Sequence, residues 1–69
     1  MYNFDTIWVC RERVNSDYFN NRLMLCWRKP PIWDENLQCW LKDDDGEMIT
    51  LVPTDFTQVK IGECKEFKL

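Results

Sequence analysis

Four cationic side chains, Arg11, Arg13, Arg28 and Lys29, are interleaved with the indoles Trp27, Trp33 and Trp40. A guanidinium fork meets a phosphate or carboxylate through paired hydrogen bonds, and an indole face stacks on a base or a cation. These seven residues are therefore the candidate set for holding a ligand or partner. The same positions also admit a purely structural reading, with Trp8, Trp27 and Trp40 in the core and the arginines solvating an outer face. Trp33 stands apart, because it follows Pro30-Pro31 in a connector and is read as a contact residue.

The chemistry these residues point to is recognition rather than bond making. There is no His, so general acid–base work would fall to carboxylates or Lys, and the acids lie mostly in turns. The single serine, Ser16, sits in a loop without a nucleophile elbow, and two glycines cannot build a phosphate-cradling loop. A non-enzymatic protein is expected. Cys10, Cys26, Cys39 and Cys64 contain no Cys-x-x-Cys pair, so a zinc site is not expected. Four cysteines would suit two disulfides in a secreted protein. Met1-Tyr2-Asn3-Phe4-Asp5 lacks the basic region and apolar stretch of a signal peptide, and the thiols are read as small, buried and reduced. Asp43-Asp44-Asp45-Gly46-Glu47 lacks the ligand spacing of a calcium loop and is read as a solvated hairpin tip. No metal and no cofactor is implied.

The elements that must position these groups are strands. Asp5 to Val14 alternates, with Ile7, Val9 and Arg11 on one face and Trp8, Cys10 and Glu12 on the other. Residues 15–21 form a loop rich in turn formers, which carries Tyr18 and Phe19. Arg22 to Lys29 puts Leu23, Leu25 and Trp27 on one side and Met24, Cys26 and Arg28 on the other, the pattern of a central strand covered twice. Pro30-Pro31 ends it, and Ile32 to Asn36 is a connector. Leu37–Lys42 and Glu47–Val52 are expected to form a hairpin around a four-residue loop, which sets Lys42 opposite Glu47 and stacks Leu41 on Met48. Pro53 to Phe56 is expected to make one helical turn. A last strand runs from Val59 to Leu69, bent at Gly62-Glu63. The expected fold is all-β and mainly antiparallel: a five-stranded curled sheet or an SH3-like barrel, with at most one short helical turn near residues 53–57.

Sixty-nine residues make one domain, 1–69, that is marginal unless braced. Ten aromatic side chains partly offset the small size. A composition 45% hydrophobic and 30% charged is globular, and the apolar runs are too short to span a membrane. Net charge is −3, divided as +1 over residues 1–34 and −4 over 35–69. The acidic total argues against direct nucleic-acid binding, yet leaves room for a small anionic ligand near the arginines. The apolar second face, Trp8, Met24, Cys26, Trp40 and Ile49, is more than one sheet can hide. A homodimer or a host-protein interface is its expected cover.

Two resemblances emerge. Ile7-Trp8-Val9-Cys10-Arg11-Glu12, then Leu23-Met24-Leu25, Arg28-Lys29-Pro30, a Trp-bearing hairpin, Asp55-Phe56 and a charged closing strand resemble a class of small β-rich proteins of bacteriophages and prophages. That resemblance covers most of the chain. Residues 51–59, with Trp40 upstream, are similar to the C-terminal half of an SH3 domain, which supports the barrel alternative but not polyproline binding. The first resemblance implies an anti-defence or host-takeover protein of the host bacterial cytoplasm that occludes an immune component such as a CRISPR effector. The arginines favour a second class, a sponge for a nucleotide immune signal, with Arg11, Arg13, Arg28 and Lys29 on the phosphate and Trp33 on the base. A virion part is a third.

Overall fold

The computed structural model describes residues 5–13, 22–52 and 54–68. The Tyr18–Phe19 loop, the Val14 end of the first strand, Pro53 and Leu69 lie outside the described residues. The chain is all-β and antiparallel, with six strands in two sheets among the described residues and no helix there. The sheets are not closed into a barrel. Four strands, β1 (Thr6–Arg11), β2 (Leu23–Trp27), β5 (Glu47–Leu51) and β6 (Cys64–Lys68), form one sheet in the order β5-β2-β1-β6. The other two, β3 (Ile32–Asp34) and β4 (Cys39–Leu41), form a separate hairpin.

The alternation along β1 and β2 decides what each face buries. In register, Ile7, Val9 and Arg11 stand opposite Trp27, Leu25 and Leu23, so one face is built from the odd positions. Its cluster is Val9, Leu23 and Val59, with Ile7, Leu25, Leu51, Phe56 and Phe67 packed around it. The other face buries Cys10, Met24 and Cys26, with Trp8, Met48 and Cys64 beside them in the sheet and Trp40 of the hairpin packed against them. Small thiols and flexible thioethers suit that face, because a second layer must lie close against it. β2 is therefore a strand covered on both sides, as its uninterrupted apolar run requires.

Two features depart from the expected layout. β4 does not pair with β5: Leu41 stands opposite Ile32, and β5 pairs with β2, placing Met48 beside Cys26 and Glu47 beside Trp27. The acidic turn does form, with the Gly46 N–H donating to the Asp43 carbonyl at 2.8 Å, but it carries the chain between sheets. β2 has two apolar faces and needs a neighbour on each edge, and Trp40 packs on its thiol face. The connector after Pro-Pro is accordingly a strand, β3. Its turn is set by Asp34, whose Oδ1 accepts from the backbone N–H groups of Asn36 and Leu37 at 2.9 and 3.0 Å.

Residues 54–63 are not helical. They run as successive turns, closed by Asp55 N–H to Val52 O and Val59 N–H to Phe56 O, and Phe56 takes φ 48°. This segment lays Val59 on the odd face and so belongs to the core cover, not to the last strand. The Glu63 N–H closes a final turn on the Lys60 carbonyl, with Gly62 at φ 77° in its third position, the type II pattern. The Gly62 N–H donates to the Arg11 carbonyl and the Arg11 N–H to the Glu63 carbonyl, a bulge with two residues opposite one. The two outer strands differ. β6 displays Lys65, Glu66 and Lys68, whereas β5 has no charge after Glu47.

Candidate binding surface

The structure scatters the seven candidate residues. Arg11, on the same face as Ile7 and Val9, is turned inward and only 8% exposed. Its Nε donates to the Val59 carbonyl at 2.9 Å and its Nη2 to the carbonyls of Asp55 and Phe56 at 3.1 and 3.4 Å. These bonds hold the turns of residues 54–59 against the sheet, including the left-handed Phe56. Arg11 is a structural cation, and its fork is committed to main chain.

Arg13, Trp33 and Trp40 do come together, at the Arg11 end of the sheet. The Trp40 indole N–H donates to the Arg11 carbonyl at 3.2 Å, which fixes the hairpin over the thiol face. Trp33, its cross-strand partner, meets it edge-on with ring centroids 5.0 Å apart. The Arg13 guanidinium lies 5.7 Å from the Trp33 ring centre. On its other side the Trp33 Nε1–H donates to Glu35 Oε2 at 2.6 Å. That indole N–H, helped by the Gln38 amide and the Arg13 charge, holds the Glu35 carboxyl below its usual range. The result is a ledge with a cation at one end and a carboxylate at the other.

Gly62 makes room for this ledge. A Cβ there would stand 2.9 Å from Arg13 Nε, and the left-handed backbone disfavours any L side chain. Gly62→Ala is expected to destabilise the fold by about 1–2 kcal/mol and to shift Arg13 off Trp33. Gly62→Asn, which tolerates this φ better, should cost less in urea unfolding. Equal stability of wild type and Gly62→Ala would contradict the bulge.

Trp27, Arg28 and Lys29 lie at the opposite end of β2. Leu23, which pairs with Arg11, and Trp27 are four residues apart, or about 13 Å along the strand. Arg28 takes φ 74° and sits 3.7 Å from Glu47, while the Lys29 Cβ packs toward Gly46. The four cations thus do not converge on one anion site, since Arg11 is inside and the others occupy two ends.

The residue the sequence reading placed on the wrong face is Ile49. It pairs with Leu25 on the odd face, while Trp40 of the hairpin packs on the thiol face. Residues 54–59 pack on the odd face through Val59 and through Phe56, whose ring lies 5.6 Å from that of Phe67, the cross-strand neighbour of Ile7. On the β5 side of that face Leu25 and Trp27, each half-buried, lead to Ile49, which is 48% exposed. Glu47, paired with Arg28 at 3.7 Å, stands beside Trp27 at the edge of this step. The alternation of β5 was the available signal, once β2 rather than β4 is taken as its neighbour. Among the described residues no group of His, Cys, Asp or Glu could hold a metal ion, and no helix is long and apolar enough to cross a membrane. Protein-family models, curated proteins and solved structures yield no match to this chain.

Proposed function

We propose that this chain is a non-catalytic protein-binding module, and that it serves as a phage-type anti-defence or host-takeover protein occluding a host immune component, for example a CRISPR effector. The observation that carries the binding reading is the β5 side of the odd face, where Ile49, 48% exposed, stands beside Leu25 with Trp27 next along β2, both half-buried. Contiguous apolar surface rimmed by charge is the usual mark of a protein contact. The Arg28–Glu47 pair at its edge gives the patch a charged border of both signs, which sets the register of a partner carrying the complementary charges. The anti-defence role rests on the resemblance to phage accessory proteins. Against a nucleotide sponge stand the inward Arg11 and the Glu35 carboxylate beside Trp33, which repels phosphate.

The test is affinity capture from a bacterial lysate, identification of the captured protein, and phage plating on a host that carries it as a defence. Wild type is expected to capture one protein and restore plating by a factor of ten or more. Ile49→Glu should lose both while keeping its melting temperature within a few degrees, because the side chain is half in water. Trp33→Ala, at the other end, should keep them. Capture that survives Ile49→Glu but fails with Trp33→Ala would move the contact to the ledge. A melting-temperature rise with a nucleotide, lost in Arg13→Ala, would replace this reading with the sponge.

A further inference from the structure

We propose that Cys10 and Cys64 form a redox modification site, in which hydrogen peroxide joins the two sulfurs in a disulfide that ties β6 to β1. The inference is independent of any partner.

The register carries it. Cys10 and Cys64 stand directly opposite each other on the thiol face. The neighbouring pair exchanges a ladder bond, Arg11 N–H to Glu63 O at 3.0 Å, so the Cys10–Cys64 pair falls at a non-hydrogen-bonded position. At such positions the Cα atoms approach to about 4.5 Å, inside the disulfide range of about 4.4–6.8 Å. Cys26 is the competing neighbour, but it stands opposite Trp8 and only diagonal to Cys10. Diagonal Cα atoms are about 7–8 Å apart, beyond what a disulfide bridges without backbone movement. Cys39 lies on the separate hairpin. The ladder therefore selects one pair among the four thiols.

Access and ionisation divide the roles. Cys10 is fully buried, while Cys64 is half-buried on an outer strand that a small oxidant can reach. The sulfurs of Cys26 and Cys64 both lie in hydrogen-bond contact with the Cys10 thiol; that contact, with burial, pushes Cys10 up, and the bond from Cys10 holds both Cys26 and Cys64 down, of which only Cys64 is open to a small oxidant. Burial and the Glu12 and Asp34 carboxylates push Cys39 up. Cys64 is thus the attacking sulfur and Cys10 the resolving one.

In the first step the Cys64 thiolate attacks one peroxide oxygen. The O–O bond breaks, and the departing hydroxide takes up the proton that Cys64 released, leaving as water. Cys64 is then a sulfenic acid. In the second step the Cys10 sulfur attacks the Cys64 sulfur and the S–O bond breaks, the Cys10 proton leaving with the hydroxide as a second water. Two thiols lose two electrons and one peroxide gains them. The bond closes the loop from residue 10 to residue 64. It also pins the bulged turn that seats Arg13.

The experiment treats the reduced full chain with hydrogen peroxide, blocks remaining thiols, and maps the product by mass spectrometry without reduction. The expected result is a mass loss of two hydrogens and a linked peptide pair containing Cys10 and Cys64. The melting temperature should rise by roughly 10 °C or more and return on adding dithiothreitol. Cys39→Ser and Cys26→Ser should still form the bond, and Cys64→Ser should not. A Cys10–Cys26 bond, a bond between chains, sulfinic acid at Cys64 with Cys10 still free, or no reaction at peroxide levels that oxidise free cysteine would each overturn the proposal. Because the wild-type product is mapped directly, the outcome does not depend on any variant folding.

Discussion

Arg11→Ala is expected to remove most of the stability of this protein. The guanidinium serves three carbonyls, those of Val59, Asp55 and Phe56, from a position 8% exposed. A hydrogen bond from a charged donor contributes about 1.5–3 kcal/mol, and carbonyls left buried without a donor add to the loss. The substitution should cost about 3–4 kcal/mol, and a single core of this size supplies only about 3–5 kcal/mol. The melting temperature should fall by roughly 15 °C or more. Arg11→Lys should recover less than half, because one ammonium cannot span three carbonyls in a fixed fork. Urea unfolding followed by circular dichroism measures this. A loss below about 1 kcal/mol would show that residues 54–59 hold their place without Arg11.

The second large effect belongs to Trp40. Its indole lies over Cys10, Met24 and Cys26, touches Trp33, and anchors the hairpin through one hydrogen bond to the Arg11 carbonyl. Trp40→Ala removes cover and anchor together, at about 3 kcal/mol, the low end for Trp truncation because the ring is only half-buried. Trp40→Phe keeps most of the area and loses the N–H, so it should cost about 1 kcal/mol. Two readouts separate loss of the hairpin from general instability. In Trp40→Ala, Cys10 and Cys26 should react with a thiol reagent under native conditions, and Trp33 emission should shift to the red. Thiols as protected as in the wild type would mean that the hairpin stays docked without its anchor.

These effects show which levels of the structure the sequence makes legible. The four strands of the main sheet follow from alternation, and so does the division of β1 and β2 into an odd and an even face. That alternation already grouped Arg11 with Ile7 and Val9, so its inward direction was readable. Charge drew attention to binding instead. What could not be read locally was partnership. Asp43 to Gly46 is a competent turn, and a turn between two alternating runs looks like a hairpin. Whether the flanking runs pair depends on β2, whose second edge must be filled, and that demand is not local. β3 escaped notice because three residues after two prolines show no period. The helical turn expected near Pro53 gave way to turns because the left-handed Phe56 lets its carbonyl meet Arg11. Of the binding set, only Arg13, Trp33 and Trp40 assemble, since strand register separates positions that composition alone treats as neighbours.

The unequal borders of the main sheet limit how copies of this protein can grow together. Lys65, Glu66 and Lys68 make one border costly for another chain to extend, while the Met48–Leu51 border carries no such guard. Fibre growth needs two receptive borders on every subunit. With only one receptive border, main-chain pairing between copies cannot propagate into a thread.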